Sequence, residues 1–252
     1  MNWILVGLML VAADSSIDSV RIDSSFCGNH KVYVERKYRG RRAVEQTVFV
    51  YRDTQKVELF KLVTEKRAMV RVLSDDMNYD FRQDLIIEER HIGHPDSLVF
   101  HIYRFVGSKP VKIDDVNIGY GGLDSFTDLD GDGVKEIISW DRRLAGIGGL
   151  DPVISPLVPK IYKFNGRRYV PRTRRYGGWL KKVAKQYEVE LFTAVHQDTP
   201  EEFVKSKAMG LVAVYSLLGN TSAGLAKVKR IAPDVYQWVK ENIREMKRRL
   251  GR

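Results

Sequence analysis

Residues 56–62 read KVELFKL, and polar and apolar side chains alternate along them except at the adjacent apolar pair Leu59-Phe60. Because successive side chains of a strand point to opposite faces, this alternation predicts a half-buried antiparallel strand. Upstream, residues 31–35 and 46–51 are rich in β-branched and aromatic residues, and Arg39-Gly40-Arg41-Arg42 predicts a turn between them. Further short strands are predicted downstream at residues 68–73, 85–89, 98–105 and 111–118. The sequence therefore predicts an antiparallel β meander or sandwich, and not a full propeller, because no repeat is visible.

The hydrophobic period changes after Pro171. Thr199-Pro200-Glu201-Glu202 predicts the start of a helix with Thr199 as N-cap, and Gly219 predicts its end. Pro233 predicts the start of a last helix. An earlier amphipathic helix is predicted from apolar residues at three- and four-residue spacing, namely Leu180, Val183, Tyr187, Leu191 and Ala194. We expect an α+β protein, with a β domain over residues 30–171 and a small helical domain over residues 172–252.

Two segments between strands carry turn signals. Asn165-Gly166 predicts a two-residue hairpin turn, because both residues readily adopt left-handed backbone angles. Residues 145–159 are too rich in glycine and proline for regular structure, so a long surface loop is expected there. Such loops often carry function.

The candidate site is the stretch Asp128-Leu129-Asp130-Gly131-Asp132-Gly133-Val134-Lys135-Glu136. Calcium prefers about six to eight oxygen ligands, and alternate aspartates in a tight turn bring carboxylates to one point. Asp128, Asp130 and Asp132 fall at loop positions one, three and five, and Gly133 permits a sharp bend at six. Val134 would offer its carbonyl at position seven, and Glu136 would close the loop at nine. The sequence predicts one calcium site, followed by a strand that begins at Glu136.

This loop differs from an EF-hand, since position twelve is Ser139 and no second helix follows. The nine-residue form with an apolar strand after it resembles the calcium loops of FG-GAP and VCBS-type β proteins. The resemblance extends over about residues 124–170 and includes the downstream Tyr-x-Phe-Asn-Gly hairpin, a combination similar to that of exported bacterial proteins. It implies a structural calcium ion. The chain has a single copy of the loop.

The N-terminal sequence bears on localisation. Residues 3–13 read WILVGLMLVAA and are followed by the polar Asp14-Ser15-Ser16, which resembles a signal peptide cleaved after Ala13. The first residues lack a basic side chain, and a buried N-terminal strand is the alternative. The apolar run is too short for a transmembrane helix, which needs about 20 residues. We expect a secreted or periplasmic protein, with residues 14–29 as a linker.

Charge is distributed unevenly along the chain. Residues 160–252 carry 21 Lys and Arg against 8 Asp and Glu, so the formal charge of +10 arises there while the rest is slightly acidic. Such asymmetry indicates that residues 172–252 bind a protein partner or an anionic surface, whereas a solvated helical surface is the simpler interpretation. Oligomeric state is not readable from the sequence.

Other constellations give weaker signals. His91, His94 and His101 could chelate zinc, but surface histidines are the expectation. The acidic pairs Asp75-Asp76 and Asp114-Asp115 could serve acid–base catalysis, although such pairs are common in turns. The lone Cys27 is expected to be a small buried side chain. Tyr176 and Trp179 lie beside the cationic side chains of residues 172–182 and could stack on bases, but a core position is favoured for Trp179.

Three functions remain open from the sequence. The first is an exported, non-enzymatic protein whose β domain is braced by calcium and whose basic helices bind a partner. The second is a hydrolase acting on an anionic polymer, with its active site in the loop of residues 145–159. The third is a binder of nucleic acid or of a cell-wall polymer, whose affinity would fall steeply with salt.

Overall fold

The computed structural model of the protein describes residue 17 and residues 19–52, 55–63, 68–91 and 97–251. Three antiparallel four-stranded sheets precede four helices, which confirms the α+β class. The first sheet has the order β1-β2-β3-β4, with strands Ser19–Cys27, His30–Arg39, Arg42–Arg52 and Gln55–Val63. The second has the order β5-β6-β7-β8, with strands Ala68–Asp75, Asp84–His91, Ser97–Val106 and Lys109–Gly119. The third has the order β12-β11-β10-β9, and its strands in chain order are Gly121–Thr127, Glu136–Asp141, Val158–Phe164 and Tyr169–Pro171.

The helices follow in one block at the C-terminal end of the described chain. They are α1 (Gly177–His196), α2 (Glu201–Leu217), α3 (Thr221–Ile231) and α4 (Pro233–Arg249). The three predicted helices are α1, α2 and α4. The sequence indicates three or four helices without locating the fourth, which is α3. Its N-cap is Asn220, whose side chain accepts a hydrogen bond from the Ala223 amide at 3.1 Å.

Contacts between Cα atoms divide the chain into two units. Unit 1 holds the described residues of Met1–Gly119 with Gly133–Lys135 and Phe164–Tyr169. Unit 2 holds Tyr120–Asp132, Glu136–Lys163 and the described residues of Val170–Arg252. The strands β9 and β10 and most of β11 are thus grouped with the helices. The boundary expected from the sequence, between residues 171 and 172, was placed where the hydrophobic period changes.

Unit 1 is a sandwich of the first two sheets. Their facing strands bury a common apolar cluster made of Cys27, Val32, Val34, Val48, Val50, Val70, Val72, Leu85, Ile87, Tyr103 and Phe105. Buried polar groups also join the sheets: Gln46 donates to the Ala68 carbonyl at 3.0 Å and accepts from the Val70 amide at 3.2 Å. Such satisfied contacts fix the register of the facing strands without leaving unpaired polar atoms.

The core of unit 2 is built by helices packed on the loop that follows β10. Leu144, Ile147 and Leu150 lie in the same apolar cluster as the inner faces of α1, α2 and α4. The helix α2 is the centre of this core, since eleven of its residues are buried. Its end is a Schellman motif, in which Gly219 at φ +87° donates to Ser216 at 3.0 Å and Asn220 donates to Tyr215 at 2.9 Å. Gly219 therefore stops α2 as predicted.

Several expectations need correction. Residues 145–159 are not simply a surface loop, because Ile147–Gly149 form a short 3-10 helix and Ile147, Leu150 and Pro156 are buried. Pro200 is the N-cap of α2 and Thr199 lies outside the helix, because Pro200 has the extended ψ of 138°. Residues 145–159 are partly buried because their apolar side chains pack inward despite the glycine and proline content. The helix α2 begins one residue later than predicted because of the backbone geometry at Pro200.

Two further differences concern strands. Ser19–Cys27, within the segment expected to be a linker, form β1, which pairs with β2 across a turn at Gly28 with φ +56°. Its polar composition hid it, since its two faces are mostly half-exposed. The strands β11 and β12 are separated by residues 165–168, and a 3.0 Å bond from the Asn165 amide to the Arg168 carbonyl closes the turn around Gly166 and Arg167. The apolar run of residues 3–13 lies outside the described residues.

The contact between α1 and α2 yields a stability prediction. A Cβ at Gly210 would lie 2.4 Å from Tyr187 Cε1, and the Tyr187 hydroxyl is fixed by donating to the Leu157 carbonyl at 2.5 Å. We expect Gly210→Ala to lower the free energy of unfolding by about 1–3 kcal/mol, because overpacking outweighs the better helix propensity of alanine. Urea unfolding followed by circular dichroism measures this. The matched control is Gly178→Ala in α1, which meets no neighbouring atom within 4 Å and should be neutral or slightly stabilising. Equal stability of the two variants would contradict the packing argument.

Candidate metal centre

The acidic loop connects β9 to β10. The two strands pair from Thr127 and Glu136 onward, so the loop begins where β9 ends, and Glu136 is the first residue of β10, as predicted. Gly131 and Gly133 have φ of +73° and +80°, a left-handed conformation in which a side chain would be strained. Gly133 thus provides the predicted bend. The loop is further shaped by Asp128, whose Oδ1 accepts from the Gly131 amide at 2.8 Å.

Three carboxylates of the loop converge. Asp128, Asp130 and Glu136 each offer an oxygen, and these oxygens lie within 4.8 Å of one another, so the group could hold a metal ion. Glu136 is fully buried, and its Oε2 accepts from the Leu129 amide at 2.7 Å. An all-carboxylate set of this kind suits a hard cation rather than a soft one.

The sequence did not suggest Lys163, which is the cation closest to this group. Its Nζ donates to both oxygens of Asp130 at 3.0 Å, to Asp132 Oδ2 at 2.5 Å and to Glu136 Oε1 at 3.2 Å. Burial alone would lower the pKa of Lys163, but the hydrogen bonds to Asp132, Asp130 and Glu136 outweigh burial and raise it above its ordinary value. The ammonium therefore remains charged at neutral pH, and a metal ion would have to compete with it for the oxygens of Asp130.

Two cations lie beside the acidic loop. The Lys163 ammonium pairs with Asp130, Asp132 and Glu136. The Arg175 guanidinium is 3.5 Å from Asp130 and largely exposed.

A buried polar atom lies beside the same group. The Tyr176 hydroxyl is buried and has no hydrogen-bond partner of good geometry, although the negative charge of Glu136 is close enough to affect it. Burial first, and then Glu136, raise the pKa of Tyr176 above its ordinary value. The hydroxyl therefore stays protonated at neutral pH next to the buried carboxylate of Glu136.

The predicted ligands are not all equivalent in the structure. Asp132 lies outside the group of three, because its side chain is turned to Lys163 and is 45% exposed. Val134 belongs to unit 1 by its contacts, and its carbonyl as a ligand stays a prediction. Ser139, at position twelve, is buried in β10 and donates to the Lys160 carbonyl at 3.0 Å, so its hydroxyl serves the sheet.

His101 is not a surface residue, which corrects the expectation. Its Nδ1 is 2.6 Å from Asp115 and its Nε2 is 2.9 Å from Glu89, while Phe60 packs on the ring at 4.4 Å between centroids. The hydrogen bond from His101 is the main cause that lowers the pKa of Glu89. His91 joins this network at 2.6 Å from Glu89, whereas His94 lies outside the described residues. In the described part of the chain neither His91 nor His101 belongs to a metal-ligand group.

The remaining constellations have structural partners. Asp75 pairs with Lys135 at 2.7 Å, and Asp76 accepts from the Phe81 amide at 2.9 Å. Asp114 and Asp115 likewise accept from neighbouring backbone and side-chain groups, including Lys112 and His101. Cys27 is fully buried, and burial, with a smaller effect of Asp84, raises the pKa of its thiol to about 12. The thiolate needed for nucleophilic chemistry is therefore strongly disfavoured at neutral pH.

The aromatic residues beside the basic segment face inward. Tyr176 packs with Ile138 and Ile161, and Trp179 packs against the same cluster and lies 6.1 Å from the Trp140 ring. Trp179 is thus half-buried and packed against the core, as favoured from the sequence. These two rings are therefore engaged in packing and not presented to bases.

A shallow cleft in unit 2 bears on the hydrolase hypothesis. Residues 153–157 of the glycine- and proline-rich segment line it together with Asp124 and Glu190, and its volume is about 710 Å³. Asp124 accepts from the Trp140 indole at 3.0 Å, and Glu190 accepts from Lys207 at 2.7 Å. Both carboxylates are thus held by neighbouring donors.

Comparison of the chain with known protein families, with curated proteins and with solved structures found no match. None of the described helices is long and apolar enough to cross a bilayer.

The buried contacts of Lys163 can be tested without any metal. In a buffer with a calcium chelator, we expect Lys163→Met to lower the free energy of unfolding by about 3–5 kcal/mol, because the fully buried carboxylate of Glu136 loses its charged partner. Urea unfolding measures the change. The matched control is Lys181→Met on the exposed face of α1, for which less than about 0.5 kcal/mol is expected. Similar stabilities of the two variants would show that the Lys163 contacts contribute little.

Proposed function

We propose that the chain is an exported, non-enzymatic calcium-binding protein in which one calcium ion braces the connection between β9 and β10. The observation that carries this proposal is the convergence of Asp128, Asp130 and Glu136, whose carboxylate oxygens lie within 4.8 Å of one another. The order of acids and glycines in the loop, and its resemblance to FG-GAP and VCBS-type loops, favour calcium over other hard cations. Export is proposed from the apolar residues 3–13 alone.

The role of the ion in this proposal is structural. Asp128 and Asp130 belong to the loop, while Glu136 begins a strand that is buried along most of its length. An ion held by all three would tie the loop to the sheet. When bound, calcium adds positive charge among the loop carboxylates, and stability then depends on the ion.

Lys163 gives the site two states under this proposal. Without calcium, its ammonium neutralises Asp130, Asp132 and Glu136. With calcium, at least the oxygens of Asp130 must be shared or released, since both now accept from Lys163. Calcium affinity is then reduced by the cost of displacing the ammonium, in line with an expected dissociation constant of ~0.1–1 mM for an extracellular site.

Thermal unfolding of the full chain in 10 mM calcium and in excess chelator tests the proposal. For a dissociation constant of ~0.1–1 mM, calcium adds roughly 1.4–2.7 kcal/mol and raises the melting temperature by several degrees. The shift should vanish in Asp128→Asn/Asp130→Asn, and magnesium should produce less of it because magnesium gives up water reluctantly. In Lys163→Met the shift should exceed that of the wild type, because the competing cation is gone. A wild-type melting temperature that is the same in calcium and chelator contradicts the proposal.

We further propose that the basic residues 172–252 bind a protein partner or an anionic surface. Nucleic acids and cell-wall polymers are examples of such anionic surfaces. This part is supported by the excess of cationic residues after residue 160 and by their exposure on unit 2, where Arg172, Arg174 and Lys181 are exposed. Electrostatic binding of this kind is measured by the salt concentration that elutes the protein from heparin.

A further inference from the structure

Unit 2 contains a cleft of about 780 Å³ whose wall is strongly cationic. The strand β11 contributes Lys160, the segment between β12 and α1 contributes the run from Arg172 to Arg175, and the end of α4 contributes Arg249. Asp141 is the one carboxylate among the described residues that line the cleft. The cationic side chains in the wall are Arg143, Lys160, Arg172, Arg174, Arg175 and Arg249.

The convergence of these cations is only partly balanced within the protein. Asp141 pairs with Arg143 at 2.5 Å and lies 3.9 Å from Lys160, so one carboxylate serves two cations. Burial lowers the pKa of Lys160, and Arg143 adds to this effect while Asp141 opposes it. Like charges brought together in a partly buried place repel each other, and a bound anion would relieve the repulsion.

Several donors in the cleft have spare capacity. The Arg143 Nε is buried and has no hydrogen-bond partner. Arg172 and Arg174 are exposed, and in the described part of the chain no carboxylate pairs with either. Thr173 Oγ1 accepts from the Ile161 amide at 3.0 Å, which leaves the hydroxyl hydrogen to be donated. Arg249 differs from these, because it donates to the Ala145 carbonyl at 2.6 Å and to Glu245.

We propose that this cleft binds a phosphate group of a soluble ligand, with Lys160, Arg172 and Arg174 as its principal contacts. Guanidinium groups bind phosphate oxygens in pairs, and a lysine ammonium adds a point charge, so this set of side chains suits a dianion. The cleft is larger than one phosphate, and Pro171, Leu217 and Leu250 give it an apolar side for the rest of the ligand. This inference deepens the anionic-partner part of the proposed function and does not depend on calcium.

Isothermal titration of the full chain with inorganic pyrophosphate, in buffer without divalent cations, tests the proposal. We expect saturable binding that Arg172→Met/Arg174→Met weakens at least tenfold, with Lys160→Met as a second variant. The matched control is Lys240→Met/Arg244→Met on the exposed face of α4, which removes the same charge and should change affinity less than twofold. Circular dichroism of each variant verifies folding.

The same variants separate the possible outcomes. If pyrophosphate binds but the cleft and control variants weaken binding equally, binding is a property of total charge, and the proposed phosphate site is overturned. Heparin retention can still support a general anionic partner in that case. If pyrophosphate does not bind, the cleft is also overturned. Titration with polyphosphate distinguishes the source of the phosphate. If polyphosphate binds more tightly per chain end than pyrophosphate does, the ligand of the cleft is a polymer. If the two affinities are equal, the ligand of the cleft is a free phosphate ester.

Discussion

The Lys163 ammonium, placed among Asp130, Asp132 and Glu136, is the interaction on which the candidate site depends. Removing a carboxylate such as Glu136 from water is costly, and a nearby cation is what makes its burial tolerable. The ammonium lies on β11, and the carboxylates lie at the start of β10 and in the loop before it. The ion pairs thus join two neighbouring strands at the end where the loop enters the sheet. Any metal that binds here acts on an arrangement that already has a cation.

This arrangement sets two opposing requirements for the loop. The protein needs the charge of Lys163 to tolerate Glu136 when no metal is present. The same charge reduces the affinity for a metal, because both oxygens of Asp130 are occupied. A loop with four acids and one internal ammonium is therefore suited to weak, concentration-dependent binding, which fits a compartment where the ion is abundant.

Local patterns predicted most of the fold, because they act over a few residues. Alternation and β-branched or aromatic content predicted strands of the sandwich, three- and four-residue spacing predicted α1, and Pro233 predicted the start of α4. Lys163 escaped because its role depends on strand register: Ile137 pairs with Tyr162, so the next residues, Glu136 and Lys163, come to lie opposite each other. That signal was readable once β10 and β11 were assumed to be neighbours. His101 escaped for a related reason, since its burial follows from the packing of Phe60 and from carboxylates on strands β6 and β8. The buried side chains at Ile147 and Leu150 depend on helices that lie far along the chain.

Crystal structures of the full chain grown with saturating calcium and with chelator test the central claim most directly. The account predicts an ion at about 2.3–2.6 Å from oxygens of Asp128, Asp130 and Glu136 in the calcium form. It also predicts that Lys163 Nζ has left at least one oxygen of Asp130, whereas the chelator form retains both contacts at 3.0 Å. If saturating calcium leaves Lys163 on both oxygens and no ion lies among the three carboxylates, the loop is closed by its own ammonium and the calcium assignment is wrong.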